Sequence, residues 1–115
     1  MATGSAPSRR GRIREALRSH ARNVVPGLLQ ALDVYCARAR GRSCIDLLFD
    51  DPEGLREVLL RVFGSSASAE LVAALLLRPL ALEGNVGRSA EELAKLLVEN
   101  PKELAEILAA LEGGG

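Results

Sequence analysis

Leu47-Leu48-Phe49-Asp50-Asp51-Pro52-Glu53-Gly54-Leu55-Arg56-Glu57-Val58-Leu59 returns 49 positions later as Leu96-Leu97-Val98-Glu99-Asn100-Pro101-Lys102-Glu103-Leu104-Ala105-Glu106-Ile107-Leu108, and glycines at one matching offset, Gly64 and Gly113, close the two copies. Both stretches spell an apolar helix end, a polar corner, a proline and a second apolar helix. Asp51 and Asn100 suit the N-cap position, because their side-chain oxygens accept from an otherwise unpaired N–H of the first turn. Pro52 and Pro101 then fall where a missing N–H costs nothing and φ is already set for a helix. Proline also drives the preceding residue out of the helical region, which ends the helix before it. Glu103 stands three residues after Asn100, as in a capping box, whereas Gly54 holds the matching place in the first copy and predicts a weaker start. Leu55, Val58, Leu59 and Val62, like Leu104, Ile107, Leu108 and Leu111, follow the spacing of one helix face.

A true duplication and a chance reuse of helix punctuation both fit this pattern. Seven of eighteen aligned positions are identical, but four of those seven are leucine, so identity alone does not separate the two.

A chain of 115 residues builds one domain. Apolar residues form 48% of it, with two Phe, one Tyr and no Trp, so the core must be Leu, Val, Ile and Ala, which suits helix-on-helix packing. Runs of β-branched residues with period two are absent, and so are hairpin signals. The longest apolar run, Leu71–Leu77, falls well short of the ~20 residues that span a bilayer. The N-terminus has arginines without an apolar stretch, unlike a secretory signal, so a cytoplasmic location is expected.

The spacing predicts a disordered basic tail over 1–11, one helical domain over 12–112 and a flexible glycine end over 113–115. The first helix should start near Arg12 and reach about Ala21, with Ile13, Ala16, Leu17, His20, Ala21 and Val24 marking its apolar face. The second should run to about Arg40, and Ser43 should cap a short third helix through Phe49. The fourth, Pro52 to Phe63, should stop at Gly64 in a left-handed conformation. The fifth, about Ala67 to Leu77, is apolar all round and belongs at the bundle centre. Arg78-Pro79 should end it, and Glu83 to Arg88 should be a loop. Ser89 with Glu92 forms a capping box for the sixth helix, and Pro101 to Leu111 is the seventh.

Cys36 and Cys44, with His20, are too few and too far apart for a metal site. Free, buried thiols are favoured because cytosolic disulfides are rare; a disulfide between the second helix and the following loop is the alternative, chiefly for a hyperthermophile. The acids Asp46, Asp50, Asp51 and Glu53 lack calcium-loop spacing. The glycines follow no phosphate-loop pattern, and no Gly-x-Ser-x-Gly elbow is present. No nucleophile–base pair or ligand cluster can be named, so the chain is expected to be no enzyme and to need no cofactor, metal or small-molecule ligand.

Charge is balanced overall but divided. Residues 1–45 carry nine arginines against two acids, net +7, and residues 46–115 carry net −7. Arg9, Arg10, Arg12, Arg14, Arg18 and Arg22 make the candidate contact arm for phosphate or a protein partner, since arginine forks match phosphate geometry. Arg10, Arg14, Arg18 and Arg22 step by four and can line one stripe. The alternative is that this arm folds against the acidic half. No aromatic residue interleaves with the arginines, which weakens stacking on single-stranded bases.

The stretch Ile45 to Gly64, with its acid–Pro–Glu corner and Phe63-Gly64 stop, followed by Glu70-Leu71-Val72, resembles a small helical domain of archaeal proteins, found alone or as the output end of signalling proteins. The resemblance covers about 30 of 115 residues. It implies an all-α module without catalytic residues that serves interaction or regulation.

These readings converge on an all-α fold, a compact bundle of six or seven short helices whose halves can be read as two related hairpins. Asp51, Pro52, Gly64, Asn100, Pro101 and Gly113 are its starts and stops. The expected function is a non-enzymatic interaction or regulatory module with a protein partner or a second copy; the alternative is a nucleic-acid-associated protein using Arg9 to Arg22 on phosphates. Partner contact should use the basic first helix and any apolar groove beside it.

Overall fold

A computed structural model describes residues 9–113, and the side chains of residues 10–111. The expected tail over residues 1–8 and the glycines at 114–115 lie outside the described residues. Eight helices and no strand are found among those described: α1 Arg9–Val24, α2 Leu28–Arg40, α3 Cys44–Asp50, α4 Pro52–Phe63, α5 Ser66–Leu76, α6 Arg78–Glu83, α7 Ala90–Glu99 and α8 Pro101–Gly113. Helix α1 therefore begins three residues before the expected start, with Arg9, Arg10 and Gly11 inside it.

The two corners that decide the fold form as their residues require. Asp51 Oδ1 accepts from the Gly54 N–H at 3.1 Å, and Asn100 Oδ1 accepts from the Glu103 N–H at 3.4 Å. Their backbones match, with φ −153° and ψ 71° at Asp51 and φ −149° and ψ 68° at Asn100. In both, the corner N–H closes the preceding helix onto a leucine carbonyl at 2.7 Å, Leu47 and Leu96. Glu103 answers differently from a full capping box: its Oε1 accepts from Asn100 Nδ2 at 3.2 Å. Gly54 has a steric reason to be glycine, since a Cβ there would lie 2.5 Å from Asp51 Oδ2 and 3.3 Å from Arg40 Nε. Gly64 stops α4 at φ +80°, a conformation that favours glycine. Gly113 is the last described residue of α8.

Leucines fill the interior. Leu32, Leu59, Leu80, Leu93, Leu97, Leu104 and Leu108 are fully buried, and no charged or polar side chain is buried among the described residues. Each such leucine contributes roughly 1.5–3 kcal/mol of transfer free energy. A void of about 40 Å³ remains among Leu17, Leu32, Ile45, Leu59, Ala73 and Leu77. Its apolar lining gives a water no partner, so it should stay dry.

Three expectations are corrected. The cysteines are not free: Cys36 and Cys44 form a disulfide with Cα atoms 5.5 Å apart. The left-handed turn at Gly41 (φ +73°) and the Asp33 Oδ1 bond to the Cys44 N–H at 2.9 Å fold α3 back under α2 and bring the two buried sulfurs together. Pro79 follows the end of α5, as expected, but it also starts a helix that the sequence reading did not include. It lies in the first turn of α6, where proline is as well placed as at Pro52, and this short helix exceeds the expected count of six or seven. Helix α5 is not central. It turns Ala69 and Ala73, both fully buried, toward α7, whose own Ala90 and Ala94 are buried, and small residues let the two backbones approach. Its leucines 71 and 75 face outward.

Candidate interaction surfaces

The arginine arm is divided by the fold. Arg10 and Arg14 reach from α1 to α3 and hold the guanidinium carbons 4.9 Å from the centre of the Phe49 ring. Arg10 Nη2 donates to the Phe49 carbonyl at 3.0 Å and stands 3.8 Å from Asp50. Arg14 Nη1 donates to Asp46 Oδ1 at 2.6 Å. Arg42 completes the cluster from the α2–α3 turn by pairing with Asp50. Part of the basic arm therefore does fold against acids of the second half, through side chains still about one-third exposed. Screening keeps such a pair worth a few tenths to about 1 kcal/mol.

The remaining arm residues have different settings. The Arg9 side chain lies outside the described residues. Arg12 is exposed. Arg22 is 3.8 Å from Glu15, two turns back. Arg18 and Arg22 line a groove of about 500 Å³ at the α1–α2 corner with Val25, Leu29, Gln30 and Asp33. This groove lies beside the first helix, but its lining is mixed, with two arginines, a glutamine and an aspartate around the apolar side chains.

His20 does structural work: its Nε2–H donates to the Leu75 carbonyl at 3.0 Å, fastening α1 to the end of α5. Arg56 Nε likewise donates to the Val98 carbonyl at 2.6 Å, satisfying an orphan carbonyl in the last turn of α7. At the other end of α7, the Ser89 N–H donates to Glu92 Oε1 at 2.9 Å while the Ser89 hydroxyl accepts from the Glu92 N–H at 3.1 Å. The bond from the Ser89 backbone, then the Ser89 hydroxyl and the nearby Arg88 charge, hold the Glu92 carboxyl below the usual carboxylate range. Among the described residues, no group of three or more His, Cys, Asp or Glu side chains is arranged to hold a metal ion.

The most exposed apolar surface lies on the uniformly apolar fifth helix and α6; the sequence pointed to surplus apolar surface on that helix but not to which leucines carry it. Leu71 is 68% exposed, Leu75 41% and Leu82 75%. With Arg78 they step by four, three and four along α5 and α6. The Leu77 N–H donates to Ala73 O at 2.8 Å and the Ala81 N–H to Leu77 O at 3.2 Å, so Leu77 joins the two helices at a turn. The signal was present in the alanines at 69 and 73, which mark a close-packing face opposite the leucines. A surface that sequence reasoning missed joins α2 to α4, where Tyr35 is 50% exposed on the helix that buries Leu29, Leu32 and Cys36.

No single helix among the described residues is long and apolar enough to cross a membrane; the α4–α5 pair passes on composition only when taken together, and it is bent by 118°. No protein-family model matches the chain, and no curated protein and no solved structure shows significant similarity to it.

Proposed function

We propose that this chain is a non-enzymatic protein-interaction module, and that the partner its geometry favours is a second copy of itself docked through the outer face of α5 and α6. The observation that carries the reading is the exposure of Leu71, Leu75 and Leu82, of which Leu82 and Leu71 are the two most exposed large apolar side chains described. Monomers seldom leave a contiguous apolar face of this kind in water. The spacing of the stripe, with Arg78 at its remaining position, is that of a seam between two helices.

Charge favours a copy over an unlike partner. The chain has fifteen basic and fifteen acidic residues, so two copies approach without net repulsion. The stripe also carries both signs, with exposed Arg78 on it and half-buried Glu70 on its flank. A two-fold axis near Leu75 stacks the stripes antiparallel and brings Arg78 of each copy toward Glu70 of the other, the self-complementary arrangement a closed dimer needs. The matched corners at Asp51 and Asn100 support reading the α3–α4 and α7–α8 hairpins as related. The resemblance of 45–64 to an archaeal helical domain supports the same non-catalytic role. A cytoplasmic location joined to a buried disulfide would then fit a hyperthermophile, where such bonds persist inside the cell.

The rival reading, phosphate binding by the arm, has less support because Arg10 and Arg14 are engaged with Asp46, Asp50 and Phe49. Size-exclusion chromatography with light scattering over a wide concentration range tests the dimer. The mass should rise from 12.2 kDa toward twice that value, and a Leu71→Glu, Leu75→Glu variant with unchanged helix content should stay at 12.2 kDa. A wild-type mass that stays monomeric at every concentration would overturn the proposal.

A further inference from the structure

Helices α2 and α4 lie side by side, and a groove of about 390 Å³ opens between them. Its floor is Val58, buried, and Val62, half-buried; its walls carry Tyr35 and Arg38 from α2 and Arg61 from α4. The volume is within the usual range for a ligand cleft. The charges around it are unevenly matched. Arg40 is taken by Glu57 at 2.7 Å and Asp51 at 4.0 Å, and Arg42 by Asp50. Arg38 and Arg61 make no ion pair or side-chain hydrogen bond within the described residues, so both forks face the groove's solvent.

Arg38 and Arg61 each stand in the last turn of a helix, where positive charge meets the negative end of the helix dipole. That explains a basic residue at either place. It does not explain an apolar floor between them, or a tyrosine left half exposed on the wall. Those features together describe a site with two anion-pairing forks around an apolar slot. The Cys36–Cys44 disulfide, one residue from Tyr35, ties α2 to α3 and fixes this wall in place before any ligand arrives.

We propose that the α2–α4 groove binds an acidic peptide segment of another protein, with carboxylates on Arg38 and Arg61 and one apolar side chain seated against Val58, Val62 and the Tyr35 ring. Arginine pairs with carboxylates through two parallel N–H donors, which gives the contact direction as well as strength. An extended nucleic acid fits less well. The groove offers a single aromatic ring, Tyr35, and so no run of stacking platforms for successive bases.

Fluorescence anisotropy tests this with a short labelled peptide of aspartate and glutamate carrying a single leucine, on the full chain at low salt. Saturable binding is expected. It should weaken about tenfold or more in an Arg38→Ala, Arg61→Ala variant, which corresponds to the loss of about 1.4 kcal/mol. Binding should be unchanged by Arg12→Ala on the exposed arm. A Leu71→Glu, Leu75→Glu variant should bind the peptide as wild type does, which separates this site from self-association. The proposal is overturned by no saturable binding, by an equal loss in Arg12→Ala, by equal affinity for a leucine-free peptide, or by tighter binding of a single-stranded oligonucleotide through the same arginines.

Discussion

Replacing both cysteines, Cys36→Ala with Cys44→Ala, should lower the free energy of unfolding by about 2.5 kcal/mol. The bridge closes a loop with a sequence separation of 8, and the chain-entropy relation gives about 2.5 kcal/mol for a loop of that size at 25 °C. Losing two buried sulfurs adds a packing penalty of up to ~1 kcal/mol, small because each site keeps its β-carbon. Spread over the unfolding entropy of a chain of this length, about 0.24 kcal/mol per degree, the loss corresponds to a Tm lower by about 10 °C. The native turn itself should persist, because Asp33 still holds the Cys44 N–H and Ser43 still caps α3 through the Asp46 N–H. Urea unfolding followed by far-ultraviolet dichroism, on oxidised wild type, reduced wild type and the double variant, reads the effect. The reduced protein and the variant should unfold at nearly the same lower midpoint with helix content intact before the transition. Superposition of all three curves, or labelling of both thiols in unfolded protein without reductant, would refute the reasoning.

Other outcomes follow from single contacts. Leu93→Ala should cost about 2–5 kcal/mol because the side chain is fully enclosed, whereas Leu71→Ala should change monomer stability by no more than about 0.5 kcal/mol; equal effects in urea melts would contradict the burial pattern. Arg14→Ala should cost about 1 kcal/mol by losing both Asp46 and the Phe49 face, and a double-mutant cycle with Asp46→Ala should recover a coupling of about 0.5 kcal/mol. Neither wild type nor that variant should bind duplex DNA in ~50 mM salt, and a gel shift there would revive the phosphate reading. Glu92 supplies a pH signature. Its folded pKa is lowered by the Ser89 bonds, so the unfolded chain takes up the proton first. Its contribution is whole above the ordinary glutamate value of about 4.3 and vanishes as pH falls through the lower folded value. The urea-midpoint gap between wild type and Glu92→Gln should therefore narrow on acidification below that range, and a constant gap would show the capping carboxylate to be inert.

Much of the backbone was legible because its signals are local. A cap, a proline and a leucine face sit within one turn of each other at Asp51-Pro52 and Asn100-Pro101, and the chain needs no distant partner to obey them. Pro79 shows where this reasoning slipped: proline reads equally as a terminator or an opener, and the half-buried and buried residues on its far side, Ala81 and Leu80, decide for an opener. Helix α5 shows a second limit. Hydropathy ranks leucine above alanine, yet contact with α7 selects Ala69 and Ala73 because they allow close approach, and the leucines are left outside. The surfaces were less legible still. Arg14 finds Asp46 across 32 positions, Arg61 joins Tyr35 and Arg38 from another helix, and Cys36 meets Cys44 only after Gly41 turns the chain. No one-dimensional spacing records these meetings.

The most direct test of the interaction role is an amide chemical-shift map recorded while the protein is diluted. Signals from residues 66–83 should move together as the dimer dissociates, while those of α2 and the α3–α4 corner stay fixed. Shifts that are absent throughout, or confined to the arginine-bearing turns of α1, would contradict docking through Leu71, Leu75 and Leu82.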